Sequence, residues 1–331
     1  MFRLTFILPL PLALLCACAS GPKWTLRDPG PLSAEMRALL KKAEKPYRNG
    51  EPFDAMRTEI AADPVAAWWW ARMAARDVRS ARAVRADGVE QGSAAGQHAD
   101  KELEKRIRDG QGEATDDGSS MLRAAAGKRD PVEERGLREL EQLGAAAIPC
   151  LVFDLACNTD GFSRQNGVDL LARQGDAALP LVQQELASSA DAQRRRTAAQ
   201  FFGARMPAPA AESELIRFSG DADYGVRAAA LAGLERGGQE ARAALLAALR
   251  NDEDPLPRRS AAIALGAQPS RDAALAICDY LARCQGERDT RGCEAAQSAL
   301  QRQAKSRGVR SLAAWRAYAA SLATDAVEPA K

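Results

Sequence analysis

The sequence predicts an all-α protein, an α-solenoid of stacked helix pairs preceded by an N-terminal helical segment. Three observations carry that expectation. An Asp-x-x-x-Arg pair recurs about every thirty-one residues through the C-terminal half, at Asp160/Arg164, Asp191/Arg195, Asp223/Arg227 and Asp254/Arg258. Seven residues after each arginine stands a large apolar residue: Leu171, Phe202, Leu234 and Leu265. A fixed period near thirty marks a stacked repeat, in which no unit can bury its apolar face alone. The apolar fraction is dominated by alanine, the best helix former, and no segment reads convincingly as a strand.

The elements follow in chain order. Arg3 and the apolar residues 4–15 form a targeting segment, too short for a bilayer span and broken by Pro9 and Pro11. The run Leu15-Cys16-Ala17-Cys18 resembles a bacterial lipobox. The resemblance implies a signal peptide over 1–17, lipidation of Cys18 and a mature chain that starts there. Ala19, rather than Asp, follows that cysteine; by the same resemblance the protein sits on the periplasmic face of the outer membrane rather than the inner one. Residues 18–32, rich in Gly and Pro, read as an extended tether.

Residues 33–86 read as an N-terminal helical segment. Ser33 is a candidate N-cap, and Met36, Leu39, Leu40 and Ala43 fall on one face behind it. A short helix follows over 53–60. Asp63-Pro64 starts a third, with Asp as cap and Pro in the first turn, running to about residue 86. Residues 87–128 are rich in Gly, Ser and Gln and read as a flexible linker interrupted by a short charged helix over 100–108. Residues 129–323 carry the helix–turn–helix repeats, with degenerate units at either end as solenoid caps require, and 324–331 form a tail.

The stretch Asp223-Tyr-Gly-Val-Arg-Ala-Ala-Ala-Leu-Ala-Gly-Leu234 resembles the HEAT-like repeats of the type first described in phycobilisome lyases. The likeness extends over roughly 130–323. It implies a right-handed solenoid of helix pairs. It does not imply bilin chemistry, because one fold hosts many functions.

Several constellations invite a functional reading. In the Asp/Arg ladder, Asp at a helix start caps backbone N–H groups and suits the helix dipole. The arginine one turn later can reach the acid of a neighbouring unit. Repetition in every unit is what a stacking device needs and a single active site does not. Trp68, Trp69 and Trp70 are consecutive, and residues about 100° apart cannot share one helix face. At least one should be exposed or covered by another element. Arg72, Arg76 and Arg79 fall on one face of the same helix. Trp68, Trp69 and these arginines are the candidate contact set for a partner or for lipid headgroups; packing on the array and a solvated face are the alternatives. Cys284 and Cys293 flank what reads as a polar loop over 285–292, and a disulfide there suits an oxidising compartment. The other reading is that Cys150, Cys157, Cys278, Cys284 and Cys293 all serve as small buried apolar residues.

Catalytic, metal and cofactor signals are absent. The one histidine, His98, lies in the predicted linker, so no Ser–His–Asp or Cys–His arrangement can be assembled, and no Cys-x-x-Cys pair suggests zinc. A formal net charge of +2 gives no polyelectrolyte signal for nucleic acid. The expected role is a lipid-anchored, non-enzymatic envelope scaffold that holds a protein partner on its concave face. The alternatives are a lyase or chaperone acting on a modified protein, and a structural spacer between envelope layers.

Overall fold

A computed structural model of the chain describes residues 30–90, 131–158, 161–305, 308 and 310–322, without the side chains of 79–90 and 162. The expected signal peptide and tether up to residue 29, Cys18 among them, lie outside the described residues. So do the expected linker from 91 on with its charged helix, Asp160 and the C-terminal tail. Within them the chain forms fifteen α-helices and no strand, and it is an all-α solenoid.

Three helices come first: α1 (Ala34–Asn49), α2 (Asp54–Ala62) and α3 (Pro64–Glu90). Ser33 caps α1 by accepting a hydrogen bond from the Met36 N–H at 3.1 Å. The same device starts α3, where Asp63 accepts from Val65 and Ala66. Each such cap is worth about 1 kcal/mol. α3 runs four residues beyond the expected end and takes Gly88 into its last turns. An Ala-rich helix tolerates one such glycine at a cost of about 1 kcal/mol.

The array then alternates two rows of helices. The first row is α4 (Pro131–Gln142), α6 (Gly161–Arg173), α8 (Ala192–Ala204), α10 (Tyr224–Gly233), α12 (Pro255–Gly266) and α14 (Thr290–Gln303). The second row is α5 (Ile148–Cys150), α7 (Leu179–Val182), α9 (Pro209–Phe218), α11 (Gln239–Asn251), α13 (Arg271–Glu287) and α15 (Leu312–Ser321). α5 and α7 are short because each passes into a π-turn, over Leu151–Ala156 and Gln183–Ala187. From α6 to α14 each first-row helix stacks on its neighbours, and α9, α11, α13 and α15 do the same in the second row. Leu171, Phe202, Leu234 and Leu265, the periodic apolar column, are all buried between the rows.

One apolar core runs from Ala43 and Tyr47 to Trp315 and Ala319 without a break. The N-terminal helices are therefore the first layer of the stack, because α3 packs along α4. The approach is close. A Cβ on Gly136 of α4 would lie 2.6 Å from the Ala74 carbonyl oxygen of α3. The seam also holds buried polar groups. Glu139 of α4 accepts from the Trp70 indole at 2.7 Å and from Arg57 Nε at 3.1 Å. Asp77, out of place on the apolar side of α3 when read as sequence, accepts from the Tyr47 hydroxyl at 2.9 Å and pairs with Arg135 of α4 at 3.3 Å.

Candidate functional site

The Asp/Arg ladder resolves into a staple between units. Asp191 and Asp223 cap α8 and α10, accepting from the N–H groups of Gln193 and Val226. The arginines do two things at once. Nη1 of Arg195 donates back to the carbonyls of Ser189 and Ala190 in its own loop. Nε and Nη2 donate forward to both carboxylate oxygens of Asp221, at 2.7 and 2.9 Å, in the loop before α10. Arg227 repeats the pattern one unit on. It donates back to Asp221 and Ala222 and forward to both oxygens of Asp252, and it also reaches Asp254 at 2.7 Å. Asp254 makes no cap hydrogen bond, and the third helical position, whose N–H Asp223 caps in α10, is here Pro257, which has no N–H to give. Arg258 pairs more loosely with Glu287 at 3.7 Å, and Arg164 donates back to the Asn158 carbonyl.

The forward acceptors Asp221, Asp252 and Glu287 escaped the sequence reading. Their signal was present: each stands two residues before the Asp of the next pair, as 221/223, 252/254 and 287/289. Ser189 occupies that place before Asp191. The electrostatics match the geometry. Hydrogen bonds from Arg195 hold the Asp221 carboxyl below the ordinary range. Burial works against ionisation of Asp252, yet the Arg227 guanidinium keeps its carboxyl low as well. With Arg227 15% and Asp252 7% exposed, these are partly buried pairs rather than surface ones.

The tryptophan triplet divides. Trp68 is buried and stacks on Phe153, ring centroids 5.7 Å apart. Trp70 is buried against Tyr47 and Phe53. Trp68 therefore leaves the candidate contact set, because α3 lies against the array and buries that face. Trp69 is 38% exposed, and its indole donates to the Gly30 carbonyl at 3.1 Å. The Arg72 guanidinium sits 5.6 Å from the Trp69 ring and pairs with Asp154 at 3.3 Å, so it joins α3 to the first unit. Arg76 is exposed; the side chain of Arg79 lies outside the described residues.

The bridge expected between Cys284 and Cys293 is not formed; both are unpaired thiols. α13 extends to Glu287 and α14 starts at Thr290, so the expected long polar loop shrinks to Arg288 and Asp289. That register sets Gly292 against the Cys284 thiol, where even a methyl group would collide with it. Cys293 lies one position further round α14. Burial pushes the thiol of Cys278 up to about 11, which suits a small core residue.

Among the described residues a shallow cleft lies between α4 and α6. Leu137 and Leu170 line it with Arg138, Arg173, Glu141 and Asp169, and Arg173 pairs across it with Glu141 at 2.8 Å. The Asn166 carboxamide lies buried beside it, its Nδ2 without a hydrogen-bond partner among the described residues. No group of three or more His, Cys, Asp or Glu among the described residues could hold a metal ion.

Residues 179–266, from α7 through α12, match a family model described as HEAT repeats. The array is built of HEAT-like repeats. No curated protein matches the chain. The matched stretch contains both bidentate staples, Arg195–Asp221 and Arg227–Asp252.

Proposed function

We propose that this HEAT-like solenoid is a lipid-anchored, non-enzymatic scaffold of the cell envelope that holds a protein partner. The observation that carries the reading is the use made of the recurring polar residues. The ladder arginines and their acids face one another between units, so the repeated chemistry holds the stack together. What remains for other molecules is surface, and the cleft between α4 and α6 is one place on it where a segment could seat. Leucines on its floor and alternating charges on its rim suit a protein segment of mixed apolar and charged character. The lipobox-like run supports anchoring at Cys18.

Two measurements test this. Envelopes crosslinked in cells that express the protein abundantly should yield a stoichiometric partner, and Arg138→Glu should lose it. Recovery of no partner from such cells would sink the scaffold reading. Cys18→Ala should release the protein from membranes; a variant that still fractionates with them removes the anchor.

A further inference from the structure

α1 presents an outer face that no other element among the described residues covers. Its inner face packs through Ala43 and Tyr47, with Met36, Leu39 and Leu40 beside them. At 100° per residue the opposite side carries Arg37, Lys41, Lys42, Lys45 and Arg48. Two acids flank them. Glu35 lies at the rim, and Glu44 is taken by Arg48 at 2.6 Å. Lys41, Lys42 and Lys45 are exposed and pair with no carboxylate among the described residues. The stripe is local. Residues 33–86 hold eleven Lys and Arg against seven Asp and Glu, whereas residues 131–322 hold twenty-four of each.

The place of this stripe matters as much as its charge. The described chain begins at Gly30, whose carbonyl is held by the Trp69 indole, and α1 starts four residues later. Arg37 donates to the Leu32 carbonyl, which ties the helix to the same entry segment. Eleven residues lie between Cys18 and Gly30. Fully extended they span about 40 Å at most, so a lipid on Cys18 keeps α1 close to the bilayer. A basic segment next to an anchor is drawn to anionic headgroups, with an attraction that fades within a Debye length and is screened by salt.

We infer that the outer face of α1, centred on Lys41, Lys42 and Lys45, docks on an anionic phospholipid surface. This rests on the anchored reading above. The lipid tethers the chain, and the lysines fix which face of the solenoid's first layer turns toward the membrane.

The test uses the whole protein, purified from membranes and reconstituted into vesicles of phosphatidylcholine alone or of phosphatidylcholine with phosphatidylglycerol. Amine acetylation is read residue by residue by mass spectrometry, with exposed Lys305 near the far end of the array as internal control. In the anionic vesicles Lys41, Lys42 and Lys45 should react roughly fivefold more slowly than in neutral ones, Lys305 should not change, and high salt should abolish the difference. A Lys41→Gln/Lys45→Gln variant should lose the protection at Lys42 while remaining folded, since both side chains are solvent-facing. Equal labelling in both vesicle types overturns the inference. So does protection seen only in intact envelopes and surviving lipid removal, which would identify an acidic protein as the occupant. The mass of the mature N-terminus reports the anchor separately. Lipid present without protection overturns this inference alone; protection without lipid sustains it and removes the anchor.

Discussion

At the scale of single residues, Arg227 concentrates the most interactions. It satisfies two carbonyls of its own loop and three carboxylate oxygens of the next, in a partly buried setting. Removing it leaves the partly buried Asp252 carboxylate without its cation, so Arg227→Ala should cost about 1.5–3 kcal/mol, the range for hydrogen bonds to charged groups. Arg164→Ala should cost less, because solenoid stability sums unit and neighbour terms and Arg164 lies nearer the end of the array. Urea unfolding of the two variants checks the order; equal losses would dissociate the staple from stability. Acid sensitivity follows from the same pairs. Asp221 and Asp252 have folded-state values below their ordinary ones, near 4 when unfolded. Their contribution is therefore complete above about pH 4 and is lost as pH falls through the lowered values. Asp252→Asn should be less stable at neutral pH and show a flatter acid limb; an unchanged limb in thermal melts would count against the pair.

At the scale of helices, sequence reading worked where a cap or a period carried the information. Ser33, Asp63, Asp191 and Asp223 act as caps where the sequence placed them, and the column from Leu171 to Leu265 is core. It failed where a neighbouring element decided the outcome. Trp68 and Trp70 could not be told from Trp69 until α3 was laid against α4 and the π-turn at Phe153. The length of α13, set by its packing on α14 and α15, closed the loop on which the Cys284–Cys293 bridge depended. Asp77 made sense only once Tyr47 and Arg135 arrived from other helices. The inner face of α1 was legible in the spacing of Met36, Leu39, Leu40 and Ala43, but the basic stripe opposite it was not singled out. Close approach is likewise a tertiary fact. Gly136→Ala should push α4 from α3 and cost about 1–3 kcal/mol. Gly286→Ala, in α13 with nothing within 4 Å of the added carbon, should be neutral or stabilising by roughly 0.5–1 kcal/mol. Matched unfolding curves for the two would show that the α3–α4 seam is looser than its geometry.

At the scale of the whole molecule, the continuous core makes the N-terminal helices part of the array, although the sequence divides them from it by a predicted linker. A protease site placed between residues 91 and 130 and then cut should leave two pieces that co-elute on gel filtration, held by Trp70, Glu139, Arg57 and Asp77. Separation of the pieces under native conditions would return the N-terminal segment to independence. The staples are unequal along the array. Arg195 and Arg227 grip both oxygens of a carboxylate in the following loop, whereas Arg258 reaches Glu287 only at 3.7 Å. Under tension the solenoid is a set of springs in series, and the stiffest are the joints gripped through both carboxylate oxygens, Arg195–Asp221 and Arg227–Asp252. Stretching should leave that central block closed longest, a rigid segment between more yielding ends.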